Sequence, residues 1–231
     1  MDALTTLLEI EEYLPDKRII SVTEVGSGMW GMRELSSDYD LVVIYSENPI
    51  DILAGRKYEA NLPSKHHVII RGREYDFQYM EVGHLINLLK KGNINAIWAL
   101  LSPIIIHSSK MHKDLKEYVK SYPTKAIMPS LEGMVLSQLS DAVKRASVRL
   151  PTKSLLTAMR TVKFGENVMY GEYLFNPISN DYSETEILDR LETLKRNMTI
   201  AKIYSQIPNI GLEDLLYQHR LYFLDCEREF E

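Results

Sequence analysis

Residues 25–45 read Val-Gly-Ser-Gly-Met-Trp-Gly-Met-Arg-Glu-Leu-Ser-Ser-Asp-Tyr-Asp-Leu-Val-Val-Ile-Tyr: a Gly-Ser turn, a short spacer, then Asp-x-Asp entering an apolar β-pattern. Asp38 and Asp40 stand two apart on the expected strand, so both carboxylates project from one face and can clamp divalent cations together. Gly26 and Ser27 end a preceding strand expected over 19–25, where a flexible turn and the first N–H groups of a helix can receive anion oxygens. The spacer, 29–35, has the length of about two helical turns, and Ser36-Ser37 opens the second strand over 38–45.

Working outward, Leu4, Leu7, Leu8 and Leu14 predict an amphipathic N-terminal helix closed by Pro15. The stretch 48–64 carries Pro49, Gly55 and Pro63 around a short helix. Strands follow at 66–71 and 74–80, joined by Gly72-Arg73. From Val82 the period turns helical, with Leu85, Leu88 and Leu89 in one helix, a break at Gly92-Asn93 and a second helix over 96–101. A short strand is expected over 104–107, and then helices near 111–121, 129–149, 152–170, 184–205 and 211–228. The fold class is α+β: a mixed β-sheet backed by helices, followed by an all-helical C-terminal region. The expected domains are 1–122 and 123–231, with Pro123 and Pro129 flanking the joint.

The 231 residues, 45% hydrophobic and 26% charged, suffice for one large domain or two small ones and argue against disorder. No apolar run approaches the roughly 20 residues that span a bilayer, and the first residues lack the pattern of a signal peptide, so a cytoplasmic protein without membrane contact is expected. A single cysteine, Cys226, excludes an internal disulfide framework and a multi-cysteine zinc site. The net charge of −5 argues against a surface that coats nucleic acid. Yet no acid stands between Asp141 and Glu166, while Lys144, Arg145, Arg149, Lys153, Arg160 and Lys163 do. That window suits a polyanion or, equally, a solvated helix face.

Asp76 lies in Glu-Tyr-Asp-Phe-Gln-Tyr-Met, an alternating β-pattern in which an isolated acid between Tyr75 and Phe77 has little packing purpose. It is the candidate third carboxylate. Of the histidines, His66 and His67 face opposite ways on a strand and cannot easily chelate one ion, and with His107 and His112 they are expected in surface or hydrogen-bonded roles. The fourteen tyrosines, Trp30 and Trp98 are expected mainly in the core.

Gly26-Ser27, the spacer with Gly31, Ser37-Asp38-Tyr39-Asp40-Leu41 and the later Asp76 resemble the signature of the DNA polymerase beta superfamily of nucleotidyltransferases, particularly its minimal members. The segments 88–95, 100–103 and 156–160 are similar to a poorly characterised branch of predicted nucleotidyltransferases, which has Pro where Ile94 stands and an acid where Trp98 stands. The resemblance implies that Asp38, Asp40 and Asp76 are catalytic and hold two Mg²⁺ or Mn²⁺ ions. It implies a nucleoside triphosphate whose phosphates lie against Gly26 and Ser27, and transfer of the nucleoside monophosphate to an acceptor hydroxyl with release of pyrophosphate. Gly28 replaces the Arg usual after Gly-Ser, which makes Arg33 the candidate phosphate contact, joined by Lys153 and Arg160 from the helical half. The acceptor stays open among RNA, a small molecule and a protein. The alternative is a catalytically silent module that binds a nucleotide or a partner protein.

Overall fold

The computed structural model describes residues 6–8, 10, 12, 14, 17–34, 37–53, 65–70, 72–145, 152–178 and 182–228. Two compact units emerge: 1–88 with 98–118 and 208–231, and 89–97 with 119–207.

The first unit is built on a five-stranded mixed sheet in the order β3-β4-β2-β1-β5. Its strands are β1 (Arg18–Glu24), β2 (Tyr39–Ser46), β3 (Lys65–Ile70), β4 (Arg73–Glu81) and β5 (Ile105–Ser108). β2 and β4 run parallel, and the other neighbours are antiparallel. β2 is buried along nearly its whole length, as a central strand covered on both faces must be. One face carries Tyr39, Leu41, Val43, Tyr45, Tyr75 and Phe77, which pack with Val22 and with Ile10 and Leu14 of the N-terminal segment. Tyr39 stacks on Tyr75 at 4.8 Å between centroids, and Phe77 continues the ladder at 6.1 Å. On the other face Thr23 donates its hydroxyl to the Ala99 carbonyl at 2.7 Å, and Trp30 meets Trp98 edge to face.

The helices are α1 (Gly26–Met29), α2 (Pro49–Leu53), α3 (Val82–Lys90), α4 (Ile94–Leu101), α5 (Lys110–Ser121), α6 (Met128–Arg145), α7 (Thr152–Met169), α8 (Glu184–Ile200) and α9 (Asn209–Arg228). The spacer differs from expectation. Its helical turn is made by Gly26–Met29 itself and stops at Gly31, whose φ of 67° breaks the helix, so 32–34 are irregular rather than helical. β2 starts at Tyr39, leaving Asp38 one residue before the strand. The last part of the helix expected over 129–149 lies outside the described residues. Among the described residues no helix is long and apolar enough to cross a membrane.

In the second unit α7 packs between α6 and α8. Gly165 lets them close in, since a Cβ there would overlap the Leu131 and Leu194 side chains. α8 opens on a capping box in which Ser183 and Glu186 bond reciprocally.

His219 on α9 is half-buried, and burial together with Arg18 and Arg220 pushes its imidazole down to about 4. The unfolded chain takes up this proton near pH 6.5, the folded one only near 4, so stability falls as pH drops through that interval. Melting temperature measured from pH 7 to 4 should fall less steeply in His219→Gln than in the wild type.

Candidate active site

The parallel register sets Asp40 directly opposite Asp76, so their side chains share one face of the sheet. Asp38 is exposed at the mouth of β2, in the bend that leads into the strand. Behind Asp40 the chain turns at Gly26 with φ 62°, and a Cβ on Gly26 would overlap the Asp40 carboxylate. The Val25 N–H donates to the Asp40 carbonyl at 2.8 Å, which ties turn and strand together. Gly26 is required twice, for its left-handed backbone and for the closeness of that carboxylate. Three of the expected residues, Gly26, Asp40 and Asp76, are thus placed by backbone geometry alone.

β3 adds a group that the sequence reading set aside. His67 pairs in register with Asp76, and its Nδ1 lies 2.8 Å from Asp76 Oδ1. That hydrogen bond first, and the charges of Asp76, Glu74 and Asp38 after it, hold the imidazole above its ordinary range. The acids therefore have a hydrogen-bonding neighbour that supplies a counter-charge when it is protonated. Gathered carboxylates would otherwise repel one another, and here an imidazole on the neighbouring strand answers them. Period-two patterning gave the facing of His67 but not the strand beside it, because strand order is invisible to periodicity.

Gly28 also has a purpose the motif alone does not reveal. A Cβ at Gly28 would overlap Glu24, whose buried carboxylate forms an ion pair with Arg33. The Arg33 guanidinium lies 3.8 Å from the centroid of the Tyr39 ring, a cation–π distance. Arg73 donates to the Tyr39 hydroxyl at 2.7 Å from the other side. A cleft of about 500 Å³ opens here, lined by Arg33, Glu34, Asp38, Tyr39, Arg73 and Glu74. Arg33 is engaged with Glu24 as it stands, and its Nε is buried without an acceptor. Lys153 and Arg160 belong to the second unit, where Lys153 is exposed and Arg160 is buried.

Among the described residues no three His, Cys, Asp or Glu side chains are gathered closely enough to hold a metal ion. His112 is buried and bonds Ser108 Oγ at 2.8 Å and the Leu100 carbonyl at 3.0 Å, a structural tie.

Two expectations follow. Gly26→Ala should destabilise the protein by about 1–3 kcal/mol, read as a lower denaturation midpoint, because the methyl both strains the backbone and displaces Asp40. In an NMR titration the His67 imidazole should lose its proton above the usual 6.5, and Asp76→Asn should bring that midpoint down. Since the bound proton favours the folded state, the contact contributes below about pH 6.5 and is lost as pH rises through the raised value.

A family model described as "RlaP: RNA repair pathway DNA polymerase beta family" matches residues 2–202. No curated protein matches the chain. Among solved structures, a nucleotidyltransferase-like protein from Exiguobacterium sibiricum 255-15 is similar at 13% identity and a TM-score of 0.38, over 98% of this chain and 80% of that one. The Gly-Ser turn, the Asp-x-Asp at β2 and the carboxylate paired with it on β4 stand inside the matched span, and the chain belongs to the RlaP family of the DNA polymerase beta type.

Proposed function

We propose that this protein binds a nucleoside triphosphate at the Gly26-Ser27 turn and acts as a nucleotide-binding module at RNA ends. The observation that carries this reading is the makeup of the site: Asp40 and Asp76 stand side by side beside a glycine turn, and His67 already answers Asp76. No third metal-ligating side chain joins them among the described residues. Backbone N–H groups of the turn and the Ser27 hydroxyl donate to the β- and γ-phosphates. The family description speaks of an RNA repair pathway, which supports RNA as the partner class over a metabolite or a protein.

Nucleotidyl transfer is the second reading, and the register pairing of Asp40 with Asp76 favours it. In that reaction an acceptor hydroxyl oxygen bonds to the α-phosphorus, and the bond from that phosphorus to the bridging oxygen breaks. Pyrophosphate leaves, and the hydroxyl proton passes to Asp76 or to water. Hard carboxylate oxygens are the donors that Mg²⁺ and Mn²⁺ take, and holding such ions would need Asp38, Asp40 and Asp76 drawn closer together than the structure has them. Bound there, such ions would acidify the acceptor hydroxyl and neutralise the departing pyrophosphate.

One experiment separates the readings. Thermal denaturation with each triphosphate, with and without Mg²⁺ or Mn²⁺, should show a nucleotide-dependent rise in melting temperature, followed by assay of pyrophosphate release in the presence of RNA. Stabilisation without pyrophosphate supports the binding module. Pyrophosphate that disappears in Asp40→Asn, with the fold intact by circular dichroism, establishes transfer. Absence of any nucleotide-dependent shift rejects both.

A further inference from the structure

We infer that α7 carries a metal-independent subsite for a phosphate group, with Arg160 as its cation and Tyr173 as an additional hydroxyl donor. Arg160 is only 8% exposed, and its Nε is enclosed without an acceptor. Burial lowers its pKa, and among the described residues no carboxylate raises it. A guanidinium stays charged at any ordinary pH, so it cannot escape this position by losing its proton. Burying a charge without a partner is among the most costly arrangements a fold can hold, which points to a ligand that supplies the missing anion.

The neighbouring charges do not fill that role. Glu166, on the same helix, is held by both Arg190 nitrogens at 2.7 and 2.8 Å. Glu132 on α6 and Glu192 on α8 share Lys195. Lys163 donates to the Tyr182 hydroxyl at 3.0 Å. The stripe that contains Arg160 runs from exposed Lys153 to Phe164 one turn beyond it. Tyr173 packs on Phe164 at 6.0 Å between centroids, and its own hydroxyl is buried without a partner. Two unanswered polar groups, one a fixed cation on α7 and the other a donor in the chain that follows it, thus both neighbour Phe164, the first by helical spacing and the second by ring contact. An anion with several acceptor oxygens would satisfy both. Along the chain no acid stands between Asp141 and Glu166, so the helix segment that carries Arg160 has no acid of its own before Glu166.

The inference draws on the proposed nucleotide role only for the identity of the ligand, either the polyphosphate of a nucleotide or the terminal phosphate of an RNA. The test uses the full chain in EDTA, with inorganic triphosphate in one arm and 5′-phosphorylated against 5′-hydroxyl RNA oligonucleotide in the other. Melting temperature is the readout. Wild type should rise with triphosphate, with 5′-phosphorylated RNA, or with both, and whichever acts identifies the source. Arg160→Met should melt about 2–4 °C higher than wild type without ligand, since it removes a buried unpaired charge, and should lose the phosphate-induced rise. Arg160→Lys should keep part of that rise, and Tyr173→Phe should weaken it. The inference is overturned by no metal-free rise with either probe, by a rise that survives in Arg160→Met, or by an Arg160→Met protein that is destabilised or does not fold.

Discussion

Parallel pairing of β2 with β4 places Asp76 opposite Asp40, and the register of that pairing is held by the opposite face. Tyr75 and Phe77 are 3% and 1% exposed, so slipping β4 by one residue would bring them to the face that carries Asp40 and drive Asp76 into the aromatic layer. Stacked aromatic neighbours add about 0.5–1.5 kcal/mol per pair beyond their burial. The chemistry of the site is thus positioned by hydrophobic side chains that never touch it. Ile10 and Leu14 complete that apolar layer, which links the N-terminal segment to the geometry of carboxylates on the far side of the sheet.

Charge in the first unit is matched locally at the places where burial makes it expensive. Glu24 is 1% exposed and meets Arg33; removing either partner of such a pair typically costs about 3–5 kcal/mol because the other is left stranded. Glu81, buried at the end of β4, accepts from the Gly83 and His84 N–H groups and so caps the start of α3. Asp76 and His67 follow the same rule nearer to solvent, where the contact is weaker and easier to exchange for another.

The strands, the Gly-Ser turn and the run of helices were legible because each rests on a period or a short motif: an apolar run along 39–46, alternation along 73–81, and helical spacing beyond 82. Strand boundaries shifted by a residue, as fraying ends allow. Asp40 and Asp76 could be picked out as acids in apolar patterns, but the sequence held no statement of which strands lie side by side. For that reason the surface or hydrogen-bonded role expected of His67 came without its partner, Asp76, and Arg33 appeared as an available phosphate contact. The spacer misled for a different reason. Its residues have adequate helical spacing, but Gly31 adopts a positive φ, a choice made by the turn rather than by any neighbouring side chain. Gly28 looked like a departure from the family motif, whereas the buried Glu24 carboxylate beside it leaves no room for a side chain.

β3 is an outermost strand, bonded to β4 alone. Among the described residues no strand pairs with its other edge, and Ile69 on it is 65% exposed. Unzipping it breaks a single ladder and leaves β4, β2, β1 and β5 intact, so local opening there lies at the low end of the energies a fold permits. The imidazole that bonds Asp76 is therefore mounted on an edge strand of the sheet, and the Asp40–Asp76 pair on strands inside it. Such a division of labour lets the site exchange its resident counter-ion for an incoming one without disturbing the scaffold that aims the acids.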